Sequence, residues 1–91
     1  MREGNVQDAL VREAKRYRVW AIKAEHLVVG FPDMLLLAPG GRFALVELKA
    51  PGRTLRIGQR IVRKWMRRLG ITVHVFDTPE EVKAFFKSWL G

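Results

Sequence analysis

The apolar positions of the chain recur with two different periods, and the changes of period mark a succession of helices and strands. Apolar residues three or four apart over Glu3–Tyr17 predict an amphipathic first helix. Its predicted buried stripe consists of Val6, Leu10, Ala14 and Tyr17. The β-branched and aromatic run Val19–Ala24 predicts a strand, and we expect a loop over Glu25–Phe31.

Two longer apolar runs follow and predict a β-hairpin. The runs are Met34–Ala38 and Phe43–Leu48, and the turn signal Pro39-Gly40-Gly41 separates them. A loop of that length pairs Ala38 with Arg42 across the hairpin. Because alternate residues on both faces of the runs are apolar, we expect the sheet to be covered by helices on both sides.

A second helix is predicted from about Arg56 to Leu69, and its polar positions are all of one sign. Its expected buried ridge is Ile57, Ile61, Trp65 and Leu69, with Val62 and Met66 beside it. Its other faces carry Arg56, Arg60, Arg63, Lys64, Arg67 and Arg68 and no acid. Like charges four residues apart destabilise a helix slightly. The second helix is therefore predicted to face the phosphates of a nucleic acid.

The remaining elements are a strand and a final helix. Gly70 is expected to end the second helix, and Ile71–Phe76 is predicted to be a strand. Thr78, Pro79 and Glu81 form an N-cap, first-turn proline and capping-box pattern that begins the last helix. The order α-β-β-β-α-β-α predicts an α/β fold, with a mixed sheet between helices, in one domain spanning residues 1–91.

The composition of the chain indicates what kind of partner it binds and excludes several classes of site. The chain carries 17 Lys and Arg against 9 Asp and Glu, a formal net charge of +8, which predicts a polyanionic partner, nucleic acid first. The alternative is a basic surface that serves solubility. The absence of cysteine excludes disulfides and thiolate metal sites. With no secretory or membrane-spanning apolar run, we expect a soluble, intracellular protein without a membrane partner.

Three charged residues at the strand ends form the candidate site. Residues two apart in a strand face the same side, so Glu47 and Lys49 point together. The predicted pairing places Asp33 opposite Glu47, where Cβ atoms are roughly 4.5–5.5 Å apart. Two carboxylates and the backbone carbonyl of Leu48 suit Mg²⁺, and we expect Mn²⁺ to substitute. A cation there supports phosphodiester hydrolysis, with Lys49 orienting or deprotonating the attacking water.

These motifs together resemble a known nuclease signature. Gly30-Phe31-Pro32-Asp33, then Glu47-Leu48-Lys49, then Gln59 is similar to the PD-(D/E)xK superfamily, and within it to the VRR-NUC (virus-type replication-repair nuclease) family. The resemblance covers residues 3–76 and implies a restriction-endonuclease-like αβββαβ core with an added C-terminal helix. It implies catalytic roles for Asp33, Glu47, Lys49 and Gln59. It also implies an acid on the first helix, for which Glu3 is the better match and Glu13 the alternative.

The function predicted is that of a divalent-metal-dependent DNA endonuclease. Stand-alone family members resemble Holliday-junction-resolving enzymes of viral or prophage origin, which implies a four-way junction as substrate. Two symmetric cuts are most simply made by a two-fold homodimer. Its expected interface is Phe85, Phe86, Trp89 and Leu90 with Trp65 and Met66. The residues expected to hold DNA are Lys23, Arg53, Arg56, Arg60, Arg63, Lys64 and Arg67.

Two alternative functions remain open from the sequence. One is a basic DNA-binding module without catalysis, in which the carboxylates are structural. The other is a monomeric flap or nicking repair nuclease, which needs the same three residues and no dimer.

Overall fold

The computed structural model describes residues 3–50 and 52–91, with side chains from residue 6 onward. The elements are α1 (Glu3–Arg16), β1 (Trp20–Lys23), β2 (Met34–Ala38), β3 (Arg42–Leu48), α2 (Ile57–Arg68), β4 (Val73–Phe76) and α3 (Pro79–Leu90). The predicted order of elements is confirmed, and the ends of the elements differ from prediction by two residues at most. Within the described residues, the longest helix has 14 residues, and none is long and apolar enough to cross a membrane.

The four strands form one mixed sheet in the order β1-β2-β3-β4. The first three strands are antiparallel, and β4 runs parallel to β3. Ala38 pairs with Arg42 and Met34 with Val46, which confirms the predicted hairpin register. The turn between β2 and β3 needs glycine, because Gly40 and Gly41 have φ angles of +84° and +74°.

One face of the sheet is covered by α1 and α3, and the main hydrophobic core lies there. Alternate residues of β2 and β3 point into it and are buried: Met34, Leu36, Ala44, Val46 and Leu48. The helices contribute the fully buried Val6, Leu10, Val82 and Phe86. Thr78 begins α3 as predicted, with its Oγ1 accepting a hydrogen bond from the Glu81 amide at 3.2 Å.

The aromatic residues of α3 belong to this core, which corrects the dimer interface predicted from the sequence. Phe86 is completely buried and stacks on Tyr17 with ring centroids 5.8 Å apart. Phe85, Trp89 and Leu90 pack against the same cluster. The prediction is wrong for Phe86, because the packing of α1 against α3 buries this side chain completely and leaves none of it for a partner.

Helix α2 packs on the β4 side of the second face, in a different orientation from the one predicted, and the covering expected on both faces is incomplete because Leu37 and Phe43 are exposed. The expected buried ridge is exposed, at 69% for Ile57, 47% for Ile61, 60% for Trp65 and 76% for Leu69. The helix docks instead through the adjacent half-buried positions, Gly58, Val62 and Met66. The apolar arc of α2 is wider than its contact with the sheet. It therefore leaves an apolar stripe in solvent, which we call the α2 stripe (Ile57, Ile61, Trp65 and Leu69).

Candidate active site

Two carboxylates meet where β2 begins and β3 ends. The Asp33 amide donates a hydrogen bond to Glu47 Oε1 at 2.9 Å, and the Leu48 amide donates to Asp33 Oδ2 at 2.7 Å. The Ala24 amide donates to the Asp33 carbonyl at 2.8 Å, which brings the end of β1 to the same place. The predicted opposition of Asp33 and Glu47 is therefore present, and reciprocal backbone hydrogen bonds hold the two side chains in position.

Glu47 is an acid that the fold has removed from water. It is 2% exposed, and its Oε2 atom is buried with no hydrogen-bond partner among the described residues. Burial raises the pKa of Glu47 from 4.5 to about 7, and the charge of Asp33 adds to the increase. The Asp33 amide, Arg56 and Arg63 lower this pKa and offset only part of the rise. A cation bound at Oε2 would compensate the buried charge.

The donor set fits a hard divalent cation. In the described part of the chain, no three His, Cys, Asp or Glu side chains come together as a possible metal group, and Asp33 and Glu47 are a pair of carboxylates that the fold holds side by side. Mg²⁺ commonly binds one or two carboxylates and completes its shell with water and substrate phosphate. The unpartnered Oε2 of Glu47 supplies the position that such an ion needs.

A cavity of about 760 Å³ opens beside the carboxylate pair. Its lining includes the predicted site residues Lys23, Asp33, Leu48, Lys49, Arg53, Arg56 and Gln59. Glu47 lies behind this wall, against Asp33. The cavity therefore carries positive charge along its walls and a carboxylate pair at its floor. This combination suits a phosphate group bridged to a cation.

Lys49 lines the cavity, and its ammonium is held by an acid that the sequence did not single out. Its Nζ donates to Asp77 Oδ2 at 3.2 Å, and the two side chains are 25% and 29% exposed. The Lys49 amide also donates to the Phe76 carbonyl at 3.0 Å, which continues the parallel pairing of β3 with β4. The Lys49 backbone is therefore held against β4 where its side chain reaches the cavity.

Comparison with known proteins identifies the architecture. No protein-family model and no curated protein matches the chain. A solved structure described as a VRR_NUC domain superposes with a TM-score of 0.85 over 96% of each chain, at 22% sequence identity. The chain has the VRR-NUC fold. The restriction-endonuclease-like core predicted from the motifs is thereby confirmed as a fold.

Several residues of this VRR-NUC fold reach the cavity without having been predicted. Gln7 on α1, Glu25 after β1 and Thr54 before α2 line it, and Asp77 contacts Lys49. Gln7 lies one helical turn after Glu3, so the helical period contained a signal for it. Asp77 gave no such signal, because its position depends on the register of two strands that are far apart in sequence.

The first-helix acid can be assigned in part. Glu13 is 5% exposed and lies away from the carboxylate pair, beside Tyr17 and Lys87 in a separate cavity. Its nearest cation is Arg16, at 3.9 Å. Glu13 is therefore excluded from the site. The side chain of Glu3 lies outside the described residues.

Gln59 lies in the first turn of α2, and one of its side-chain atoms is hydrogen-bonded to the start of the helix. Its Oε1 accepts a hydrogen bond from the Arg56 amide at 3.1 Å, which satisfies one of the amides at the helix N-terminus. Because Gln59 also lines the cavity, its amide nitrogen is the atom that can donate to a ligand there.

The seven predicted DNA-binding residues of the VRR-NUC fold fall into three groups. Lys23, Arg53 and Arg56 line the cavity. Arg63 is half-buried and close enough to Glu47 to lower its pKa. The remaining residues, which are exposed on α2 and outside the cavity lining, are Arg60, Lys64 and Arg67.

Proposed function

We propose that the chain is a divalent-metal-dependent DNA endonuclease. The observation that carries this proposal is the buried carboxylate pair of Asp33 and Glu47, with an unpartnered Glu47 oxygen, behind a basic cavity. A buried carboxylate with one oxygen left without a hydrogen-bond partner is costly, and such groups concentrate at functional sites. The likeness of the fold to a solved VRR_NUC domain supports the same conclusion.

Each side chain of the site has a role in this proposal. Asp33, Glu47 and the Leu48 carbonyl would hold Mg²⁺ or Mn²⁺. The bound ion would lower the pKa of a water and offset charge on the phosphate oxygens. Lys23, Arg53 and Arg56 bind the phosphates on either side of the cleaved bond, and the Gln59 amide donates to the phosphate or to the attacking water.

Lys49 acts at the cleaved bond itself. Its ammonium donates to a phosphate oxygen or to the attacking water and opposes the negative charge that grows as water adds to phosphorus. The P–O ester bond then breaks, and the departing oxygen takes up a proton. The basic cavity holds the phosphate in place throughout, which contributes the orientation that such a reaction needs.

The direct test is cleavage of a panel of labelled DNA. Duplex, flap, single-stranded and four-way DNA are incubated with Mg²⁺, Mn²⁺ or EDTA. We expect cutting only with a divalent cation, and its loss in Asp33→Asn, Glu47→Gln and Lys49→Ala while DNA binding is retained. Comparable cutting by Glu47→Gln would overturn the assignment. Binding without any cleavage by the wild type would favour the non-catalytic DNA-binding module.

We propose further that the substrate is a four-way junction cut by a homodimer. The α2 stripe supports this, since four large apolar side chains in a row are an unusual solvent-facing surface. Leu27, Val28 and Val29 extend it, because they are also exposed and Val29 lies beside Gly58 at the start of α2. Two copies joined there would bring two sites and two basic helix flanks onto one DNA. A monomeric nuclease would instead cut flaps and make single nicks.

A further inference from the structure

We propose that Asp77 is a positioning residue, which holds the Lys49 ammonium away from Glu47 so that the unpartnered Glu47 oxygen stays available to a divalent cation. This inference rests on the proposed function, and it concerns a residue outside the nuclease signature. The observation behind it is the contact of 3.2 Å between Lys49 Nζ and Asp77 Oδ2.

Asp77 is fixed in place by two elements of the fold. Leu48 pairs with Phe76 in the parallel register of β3 and β4, so Lys49 and Asp77 are the next residues on neighbouring strands. The Asp77 amide donates to Glu81 Oε1 at 2.8 Å, and the Thr78 amide donates to the same atom at 3.2 Å. The capping box of α3 therefore anchors the backbone that carries the Asp77 carboxylate.

Without this anchor, Lys49 has a second acceptor within reach. Glu47 and Lys49 face the same side of β3, and positions two apart in a strand are separated by roughly 6.5 Å. A lysine side chain spans such a distance and rotates freely about its bonds. Yet Lys49 donates to Asp77, while Glu47 Oε2 has no partner among the described residues.

A released ammonium would turn to that oxygen, since a buried, uncompensated carboxylate attracts the nearest cation. An ion pair between Lys49 and Glu47 would occupy the oxygen proposed as a metal ligand. Lysine and metal would then compete for one site. Asp77 removes this competition because it offers the ammonium a carboxylate of its own, beyond the edge of the cavity.

The test is a titration of the full chain with Mn²⁺ alone, read by calorimetry, in four variants. We expect Asp77→Asn to bind Mn²⁺ about tenfold more weakly than the wild type, the scale of one charge-assisted contact. The double variant Asp77→Asn, Lys49→Ala should recover the affinity of Lys49→Ala, because the competing ammonium is gone. Glu80→Gln, which removes an equal charge from an exposed residue in the first turn of α3, should bind like the wild type.

The outcomes separate this inference from the proposed function. A wild-type chain that binds no Mn²⁺ contradicts the proposed metal site itself. A wild type that binds, together with an Asp77→Asn variant that binds like Glu80→Gln, overturns the role of Asp77 and leaves the nuclease proposal standing. Weak binding that persists in the double variant overturns it as well, since Lys49 would not be the competitor.

Folding is controlled independently of metal binding. The unfolding midpoint of each variant is measured in EDTA, and a purely structural role of Asp77 would change this midpoint without coupling to Lys49. Asp77→Glu keeps the carboxylate and should keep Mn²⁺ affinity close to that of the wild type. If Asp77→Asn does not fold, Asp77→Ser takes its place. We expect the same loss of Mn²⁺ affinity from it, and the same recovery when it is combined with Lys49→Ala.

Discussion

At the scale of single residues, Glu47 is where stability and the proposed chemistry oppose each other. The metal-free fold favours the protonated acid, because burial and Asp33 raise the pKa of Glu47 to about 7. A metal ligand must be ionised, so the protein carries the cost of a buried charge whenever it is ready to bind a cation near neutral pH.

This conflict predicts a pH dependence of stability in EDTA. Glu47 ionises near 4.5 in the unfolded chain and near 7 in the folded one, so the folded state binds more protons between these values. The free energy of unfolding should therefore fall by on the order of 3 kcal/mol as pH rises through this window, with no further loss above it. Urea denaturation at a series of values from about pH 4 to about pH 8 covers this window. It measures the difference in the free energy of unfolding between the wild type and Glu47→Gln.

Glu47→Gln should lack this loss and be the more stable protein above pH 7. The control is His74, whose burial lowers its pKa and gives stability that is lost as pH falls below 6.5. His74 is present in both the wild type and Glu47→Gln. Its contribution to the free energy of unfolding therefore cancels when the two proteins are compared. Curves that run parallel through the whole window would contradict the account of Glu47.

At the scale of elements, two glycines meet where α2 contacts the loop after β1, and only one of them is required to be glycine. Gly30 has a φ of +87°, and a Cβ there would collide with the Gly58 carbonyl. A Cβ on Gly58 would instead meet Gly30 Cα at 3.7 Å, an ordinary contact. The approach of these two segments decides how far α2 is rotated on the sheet.

We therefore expect opposite effects from the same substitution at these two positions. Gly30→Ala should destabilise the fold by about 2 kcal/mol or more, from the unfavourable φ and the collision. Gly58→Ala should be neutral or stabilising by up to about 1 kcal/mol, because alanine favours the helix. Urea denaturation of both variants measures this, and equal losses would show that the close approach does not position α2.

The same contact explains why sequence predicted the ends of α2 and not its orientation. The helical period identifies an apolar arc, and the arc of α2 contains both the exposed stripe and the docked positions Gly58, Val62 and Met66. Which edge of the arc faces the sheet is set by the crossing of Gly30 with Gly58. The hairpin register was predictable because the two-period alternation and a short turn leave few alternatives.

The exposed charges of α2 lead to a prediction about DNA affinity. Charge reversal of Arg60, Lys64 and Arg67 should weaken binding to every DNA shape and reduce its salt dependence, since fewer counterions are released. Arg16, Lys83 and Lys87, which line the separate cavity at α1 and α3, form a control with the same change in net charge. Binding by titration at several salt concentrations distinguishes the two, and equal losses would mean that only total charge matters.

At the scale of the whole molecule, the two faces of the sheet differ in how much of their apolar surface is covered. The face under α1 and α3 is sealed by a continuous core, which includes the aromatic residues once assigned to a partner. The opposite face leaves the α2 stripe exposed, and also the cross-strand row of Trp20, Leu37 and Phe43. The predicted apolar surplus was therefore placed correctly at Trp65, which is exposed, and wrongly at Phe86, which is buried, because packing partners cannot be inferred from composition.

The last prediction concerns which of these exposed surfaces joins two copies. Trp65 lies at 60% exposure in the α2 stripe, and Trp20 lies at 68% on the edge strand β1, so the two tryptophans make a matched pair. If the dimer forms through the α2 stripe, a buried lysine at its centre should be strongly disfavoured. We expect light scattering at micromolar concentration to give a dimer mass for the wild type and Trp20→Lys, and a monomer mass for Trp65→Lys.

The monomeric variant keeps Asp33, Glu47 and Lys49 intact, so it should still cut one strand of a junction without the paired cut that resolves it. A wild type that is monomeric and cuts flaps efficiently would contradict the dimer and favour the monomeric repair nuclease. Dissociation by Trp20→Lys alone would place the interface on the open sheet.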